Sequence, residues 1–302
     1  MLTDVHTHLL PPFLVDALEA AGRKPSLQNF PKWTPEAQLR LMDQIGVERA
    51  LLSVSTPGVH FGDDRAAAAL ARQSNEYCAE LIAGEPRFGA FAALPLPFVD
   101  GAIEELRYAL GALRLDGIGL FASYGETFLG DPTLEPVMAE LQRWKAAVFV
   151  HPMGHPSSRA LRTQAPLWMA EYPIDTTRAA VNLIVSGALD RAPDVKLILA
   201  HSGGALPFLQ PRLSAMSLID GRYAHLSPER VDRAIASLFY ETAQAAGAAS
   251  FAALSVVTTP DHILFGSDFP YCGEAAIKAM RQGYGAFAAA DPGAASRLFA
   301  NR

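Results

Sequence analysis

The side chains in this sequence best suited to chemistry are spread along its whole length: His6 and His8 in DVHTH, His151 in FVHP, His201 in LAHSGG and Asp268 in FGSD. Residues two apart in a β-strand project from the same side, so His6 and His8 can grip one ion together. Imidazole nitrogens and carboxylate oxygens are both donors to first-row divalent cations, and a site needs three or four of them converging. Taken singly, each residue has an ordinary explanation. His151 before Pro152 can cap a strand, His201 before Ser202-Gly203-Gly204 can hold a turn, and Asp268 before Phe269-Pro270 can begin one. What decides between the two readings is whether the chain's elements bring these positions to one place.

Short apolar, β-branched runs occur at 2–6, 49–55, 87–94, 116–121, 146–151, 195–201, 237–242 and 263–268, and helical periodicity fills 64–83, 100–113, 133–145, 174–191, 203–219, 227–236 and 244–256. Asp131-Pro132-Thr133 reads as a helix entry, and Asp175 with Thr176 as the cap of the helix at 174–191. Strand and helix alternating eight times predict an α/β fold, a (β/α)8 TIM barrel, as one domain over 1–302 with a short excursion at about 10–40 after strand one. A doubly wound sheet is the competitor, but no glycine-rich dinucleotide loop follows the first strand. His6 and His8 close strand one, His151 strand five, His201 strand six and Asp268 strand eight. In a barrel these C-terminal ends meet at one mouth, which makes a metal site the expectation. His60, His155, His225 and His262 are left to loops and surface.

Composition narrows the partners. The 302 residues are 50% hydrophobic and 19% charged with a formal net charge of −6, and they contain no basic cluster of the kind that tracks nucleic-acid phosphates. No stretch approaches the roughly twenty apolar residues that span a bilayer, and the N-terminus lacks a signal-peptide pattern. Two distant cysteines, Cys78 and Cys272, suit free thiols in a reducing compartment. The expectation is a cytoplasmic protein acting on small molecules.

DVHTH, FVHP, LAHSGG and FGSD together resemble the amidohydrolase superfamily, in the branch of amidohydrolase-related decarboxylases that includes the aminocarboxymuconate semialdehyde enzymes. The stretches at 123–141 and 171–213 are further similar to the 6-methylsalicylate decarboxylase subgroup. The resemblance implies that His6, His8, His151 and Asp268 hold one divalent ion, zinc first with manganese also compatible, and that His201 lies beside it as a catalytic base or acid. Binuclear relatives use a lysine at the end of strand four, and DGIGLFASY carries none, which favours one ion. The resemblance also implies a homodimer in which Arg212 reaches a substrate carboxylate across the interface, a job its bidentate fork suits. A second arginine from the excursion has no firm counterpart among Arg23, Arg40 and Arg49. Phe13, Phe30 and Trp33 either wall an aromatic ring or simply pack, and Trp168, after strand five, either stacks on such a ring or packs as well.

The activity so implied is non-oxidative decarboxylation of a small hydroxylated aromatic, or related unsaturated, carboxylic acid, with Asp268 and His201 as rival proton donors. The alternative on the same site is hydrolysis of a lactone or cyclic amide by metal-activated water.

Overall fold

The computed structural model describes residues 1–23, 29–160, 162–287 and 289–300. Eight parallel strands follow one another round a sheet in chain order: β1 (Thr3–His8), β2 (Arg49–Ser53), β3 (Phe88–Ala93), β4 (Gly117–Phe121), β5 (Ala147–His151), β6 (Lys196–Leu199), β7 (Phe239–Glu241) and β8 (Ile263–Leu264). The sheet closes on itself where Val5 donates its N–H to the Phe265 carbonyl at 3.0 Å and His8 donates to that of Phe269 at 2.7 Å. This is the (β/α)8 barrel that the alternation predicts. A two-stranded hairpin, Ser123–Tyr124 with Thr127–Phe128, decorates the loop after β4.

Alternation along the strands sorts side chains into two layers. Ala50, Leu52, Ala90, Ile118, Val148, Leu197 and Tyr240 point outward into the shell of helices. Leu51, Phe91, Phe149, Ile198, Phe239 and Leu264 fill the barrel's inside, together with Val5. By strict alternation, Val5 on the inside would put His6 and His8 on the outside. The β1–β2 register shifts between Asp4 and Thr7, a bulge that moves the parity by one and turns both histidines inward above Val5. The lower end is filled by the C-terminal helix Ala294–Leu298 and the residue after it: Ala294, Ala295 and Phe299 join the inner cluster, and the Phe299 ring lies 5.9 Å from that of Phe91.

Several helix boundaries differ from the sequence reading, each for a local reason. The helix expected at 174–191 begins at Leu167 and runs to Val185, so Asp175 and Thr176 lie inside it. Asp175 does cap, but on another segment: its carboxylate accepts from the N–H groups of Met153 and Gly154, at 2.8 and 3.1 Å, and from Ser123 Oγ. The helix expected at 203–219 divides into Leu206–Ser214 and Met216–Ile219, and the one at 244–256 starts only at Ala248. The excursion holds two helices, Pro12–Ala20 and Pro35–Ile45, each with proline in its first turn where no N–H is missed. Its residues 24–28 lie outside the described ones. Helix Glu274–Ala286 completes the eighth unit. Among the described residues, no helix is long and apolar enough to cross a membrane.

Candidate active site

The upper ends of β1, β5, β6 and the β8 extension bring His6, His8, His151, His201 and Asp268 into one buried group. One donor atom from each of His6, His8, His151 and Asp268 falls within 4.8 Å of all the others. The Nε2 atoms of His6 and His8 face each other at 3.0 Å, and Asp268 Oδ1 lies 3.4 and 3.2 Å from them.

The other ring nitrogens are occupied away from this centre. His6 Nδ1 is 2.8 Å from Glu241 Oε1, His8 Nδ1 is 3.0 Å from Ser53 Oγ, and His151 Nδ1 is 2.7 Å from the Pro152 carbonyl. Each imidazole thereby gives its Nδ1–H to an outer partner and turns a lone pair on Nε2 inward, the arrangement that fixes tautomers in metal-binding histidines. Lone pairs converging this closely repel unless something positive sits among them. The protein alone answers with a proton: burial would depress His6, yet the carboxylates of Glu241 and Asp268 outweigh it and push the pKa up to about 10. Burial opposes the ionised form of Asp268 as well, but the His6 and His8 imidazoles hold its carboxyl well below the usual carboxylate range. Burial, with the neighbouring imidazoles, lowers His151 and His201. A buried anionic carboxylate facing inward-turned lone pairs fits a divalent cation.

Glu241 is one of the residues the sequence reading missed. It continues β7 on the same face as Phe239, one layer higher, and accepts from the His201 N–H at 2.6 Å and the Ala243 N–H at 2.6 Å as well as from His6. Gly266 makes room for it, since a Cβ there would sit 1.9 Å from Glu241 Oε2 and 2.8 Å from His6 Cβ. A carboxylate in the otherwise apolar run SLFYET was the available signal.

Above the cluster opens a cavity of about 790 Å³. Its floor carries His151, His201 and Asp268; Trp168, Tyr172 and Tyr271 supply aromatic wall, and Ala245, Ala249, Ala276 and Met280 apolar wall. Among its described lining residues there is no lysine or arginine. One polar atom beside it, His201 Nδ1, lacks a hydrogen-bond partner although buried. Such a group is costly to leave unmet, so it marks where a ligand's polar atom completes the site.

Trp168 lines the cavity, as the sequence reading placed it, whereas the other peripheral residues lie elsewhere. Trp33 is buried in the core with Nε1 3.3 Å from Gln38 Oε1, Phe13 packs edge-on to Tyr77, and Phe30 packs against the core, so none of the three walls the site. Arg49 opens β2 at the opposite end of the barrel and pairs with Asp116 at 2.5 Å. Arg23 lies over the Phe61 ring, and Arg40 is exposed on helix Pro35–Ile45. Arg212 is exposed on helix Leu206–Ser214 and does not line its own chain's cavity.

A closed parallel barrel with imidazole and carboxylate donors gathered at its C-terminal mouth defines a class, the divalent-cation barrels. The sequence profile described as Amidohydrolase matches residues 3–298, and the chain belongs to that family. Among curated proteins, the 6-methylsalicylic acid decarboxylase of Penicillium expansum is 38% identical over 279 residues, covering 91% of this chain and 86% of that one. The crystal structure of a 2,6-dihydroxybenzoate decarboxylase complexed with 2,6-dihydroxybenzoate superposes with TM-score 0.85 at 26% identity, covering 99% of this chain and 100% of that one. A dihydroxybenzoic acid decarboxylase from Polaromonas sp. JS666, solved with bound manganese and the inhibitor 2-nitroresorcinol, gives 0.84 at 22% identity over 100% of this chain and 97% of that one.

Proposed function

We propose that this chain is a metal-dependent, non-oxidative decarboxylase of a small ortho-hydroxylated aromatic acid of the 6-methylsalicylate kind. The observation that carries the reading is the convergence of His6, His8, His151 and Asp268 at the floor of a cavity whose walls are aromatic and apolar. In this reading those four side chains hold the ion. When bound, it supplies a positive charge that draws electron density from the substrate's oxygens. The three imidazoles and one carboxylate suit zinc; the manganese in the Polaromonas enzyme makes manganese the rival, and elemental analysis of the purified protein decides between them.

The chain's own residues do the rest. Trp168 and Tyr271 flank the ring, and the low-polarity wall strips water from the carboxylate, which favours its departure as uncharged carbon dioxide. A proton must reach the ring carbon that bears the carboxylate. The bond to the carboxylate then breaks, and its electron pair returns to the ring. Asp268 has Oδ1 turned to His6 and His8 and Oδ2 taken by Gln244, whereas His201 Nδ1 has no partner, so His201 is assigned the proton.

Arg212 has no route to its own cavity along an exposed helix that also bears Phe208, 82% exposed, with Leu218 and Ile219 exposed just beyond it. This supports a homodimer in which Arg212 serves the neighbouring site. Mixing Arg212→Ala chains with His151→Ala chains then restores part of the activity, and no recovery after verified subunit exchange removes the shared-site reading. Both cysteines are unpaired, in keeping with the cytoplasm.

The test is carbon dioxide release from a panel of ortho-hydroxybenzoates by zinc- or manganese-loaded protein, with His151→Ala as control. Release that vanishes in the control is the expected result. Silence across the panel with metal bound would sink the aromatic reading. The lactone-hydrolase alternative, which predicts solvent oxygen in the product, is not favoured, because the relatives matched over most of the chain are named as aromatic-acid decarboxylases.

A further inference from the structure

Outside glycine, left-handed backbone is rare in this chain and concentrated at the barrel's mouth. His201 has φ 55°, Ser202 57°, Gln244 55° and Asp268 56°; among the described residues only Arg114 and Lys145 share the trait elsewhere. A side chain in this region costs free energy that a glycine would not. Such strain persists where the surroundings enforce it, and it clusters at functional sites. His201 and Asp268 have roles already argued. Gln244 has none, and it is the least expected of the four, because glutamine has no local hydrogen bond that eases this conformation as asparagine does.

What the conformation achieves is visible in the contacts. The loop after β7 turns at Gln244 and delays the helix there until Ala248. Its backbone N–H points at Met280 Sδ, 2.8 Å away, and its side chain reaches back over the site so that Nε2 donates to Asp268 Oδ2 at 2.5 Å. The remaining oxygen of Asp268, Oδ1, is the one that faces His6 and His8. Cys272 Sγ also lies near Oδ2, but at 3.9 Å and as a weak donor. Without the amide, Asp268 could turn about its terminal torsion, which is broad for an aspartate, and offer either oxygen to the cluster.

We propose that Gln244 is a positioning residue that divides the work of Asp268 between its two oxygens: it occupies Oδ2, so that Oδ1 alone is presented to the metal-binding histidines. The inference rests on the reading of His6, His8, His151 and Asp268 as metal ligands. It accounts for strain that packing does not require, since the exposed rim at Gln244 would take glycine without a clash.

Two substitutions separate the hydrogen bond from the strain. Gln244→Met keeps the length and the strained backbone but loses the donor; Gln244→Gly loses the donor and relieves the backbone. Zinc and manganese affinities are measured by competition with a chromophoric chelator, and melting temperatures on metal-free protein, with His6→Ala as the binding control. Both variants are expected to bind metal about tenfold more weakly than wild type, the range found for outer-sphere partners of metal ligands. Metal-free Gln244→Gly is expected to melt no lower than wild type and higher than Gln244→Met. Affinity within twofold of wild type in either variant overturns the proposal. So does a Gln244→Gly protein that melts below wild type, since the residue would then be part of the scaffold. Wild-type protein that binds neither ion removes the metal reading itself and this inference with it.

Discussion

The two ends of the barrel are built on opposite terms. The lower end is filled by Phe91, Ala294, Ala295 and Phe299, all buried and apolar, and ringed by ordinary ion pairs such as Arg49 with Asp116. The upper end holds two buried carboxylates, four imidazoles and most of the left-handed backbone outside glycine among the described residues. One end is arranged as a stable core and the other as a site whose groups are incomplete without a ligand. The contrast is the usual division of this fold between a face for stability and a face for chemistry. It shows here in single residues: Phe149 separates the two layers, with Phe91 stacked 5.5 Å below it and His6 4.8 Å above.

The sharpest way to break the comparison is to cut each end and look for the wrong symptom. His151→Ala is expected to lower turnover on the order of a thousandfold and to empty the metal site while leaving the metal-free melting temperature nearly unchanged; a large loss of stability would show that the upper end also carries the fold. Phe299→Ala should do the reverse, costing about 3 kcal/mol in denaturant unfolding with kcat per folded molecule intact. A fall in kcat with stability unchanged would mean that the plug communicates with the mouth.

Glu241→Gln tests the outer ring of the upper end. The substitute's amide N–H must face either His6 Nδ1–H or the Ala243 N–H, so one donor meets another. Metal affinity is expected to fall by roughly tenfold to a hundredfold, read by chelator competition, and an unchanged value would remove Glu241 from the site. The smallest effect belongs to the outer shell. The hydrogen bond from Arg107 holds buried Glu140 below its ordinary pKa. A depressed carboxylate contributes stability that is present above its unfolded pKa, about 4.3, and lost as pH falls through the folded value. Arg107→Ala should therefore cost only a little stability near neutrality, with the gap to wild type closing as pH drops below about 4. A gap that widens in acid would reverse the sign of this assignment.

Much of the site was legible because strand ends are legible. An apolar run that stops at a histidine or aspartate is a local pattern, and the barrel brings the four such runs, among its eight strands, to one mouth. The converging group His6, His8, His151 and Asp268 and the adjacent His201 came from that logic and from the family resemblance. Glu241 and Gln244 did not, because their meaning lies in what they touch across 235 and 24 residues, and no spacing rule reports such contacts. Asp175 misled in the instructive direction: Asp-Thr-Thr is a sound helix-cap pattern, but the carboxylate is spent on the loop after β5. The inward placement of His6 depends on a bulge, and nothing in DVHTH announces that Val5 and His6 will share the barrel's inside.

The closure of the barrel has a consequence for the order of events during synthesis. β1 precedes the other seven strands, yet its second ladder partner, the segment around Phe265 and Phe269, follows all the others, and Met1 and Ser296 end up hydrogen-bonded to each other. Contacts of such long separation form late and slowly. His6 and His8 therefore wait, through the synthesis of six intervening strands, for Asp268 to arrive, and the donor set is complete only when the ring of strands is. A nascent chain stalled before its eighth strand would carry the first half of the donor group with no means of closing it, so completion of that group belongs among the final steps of folding.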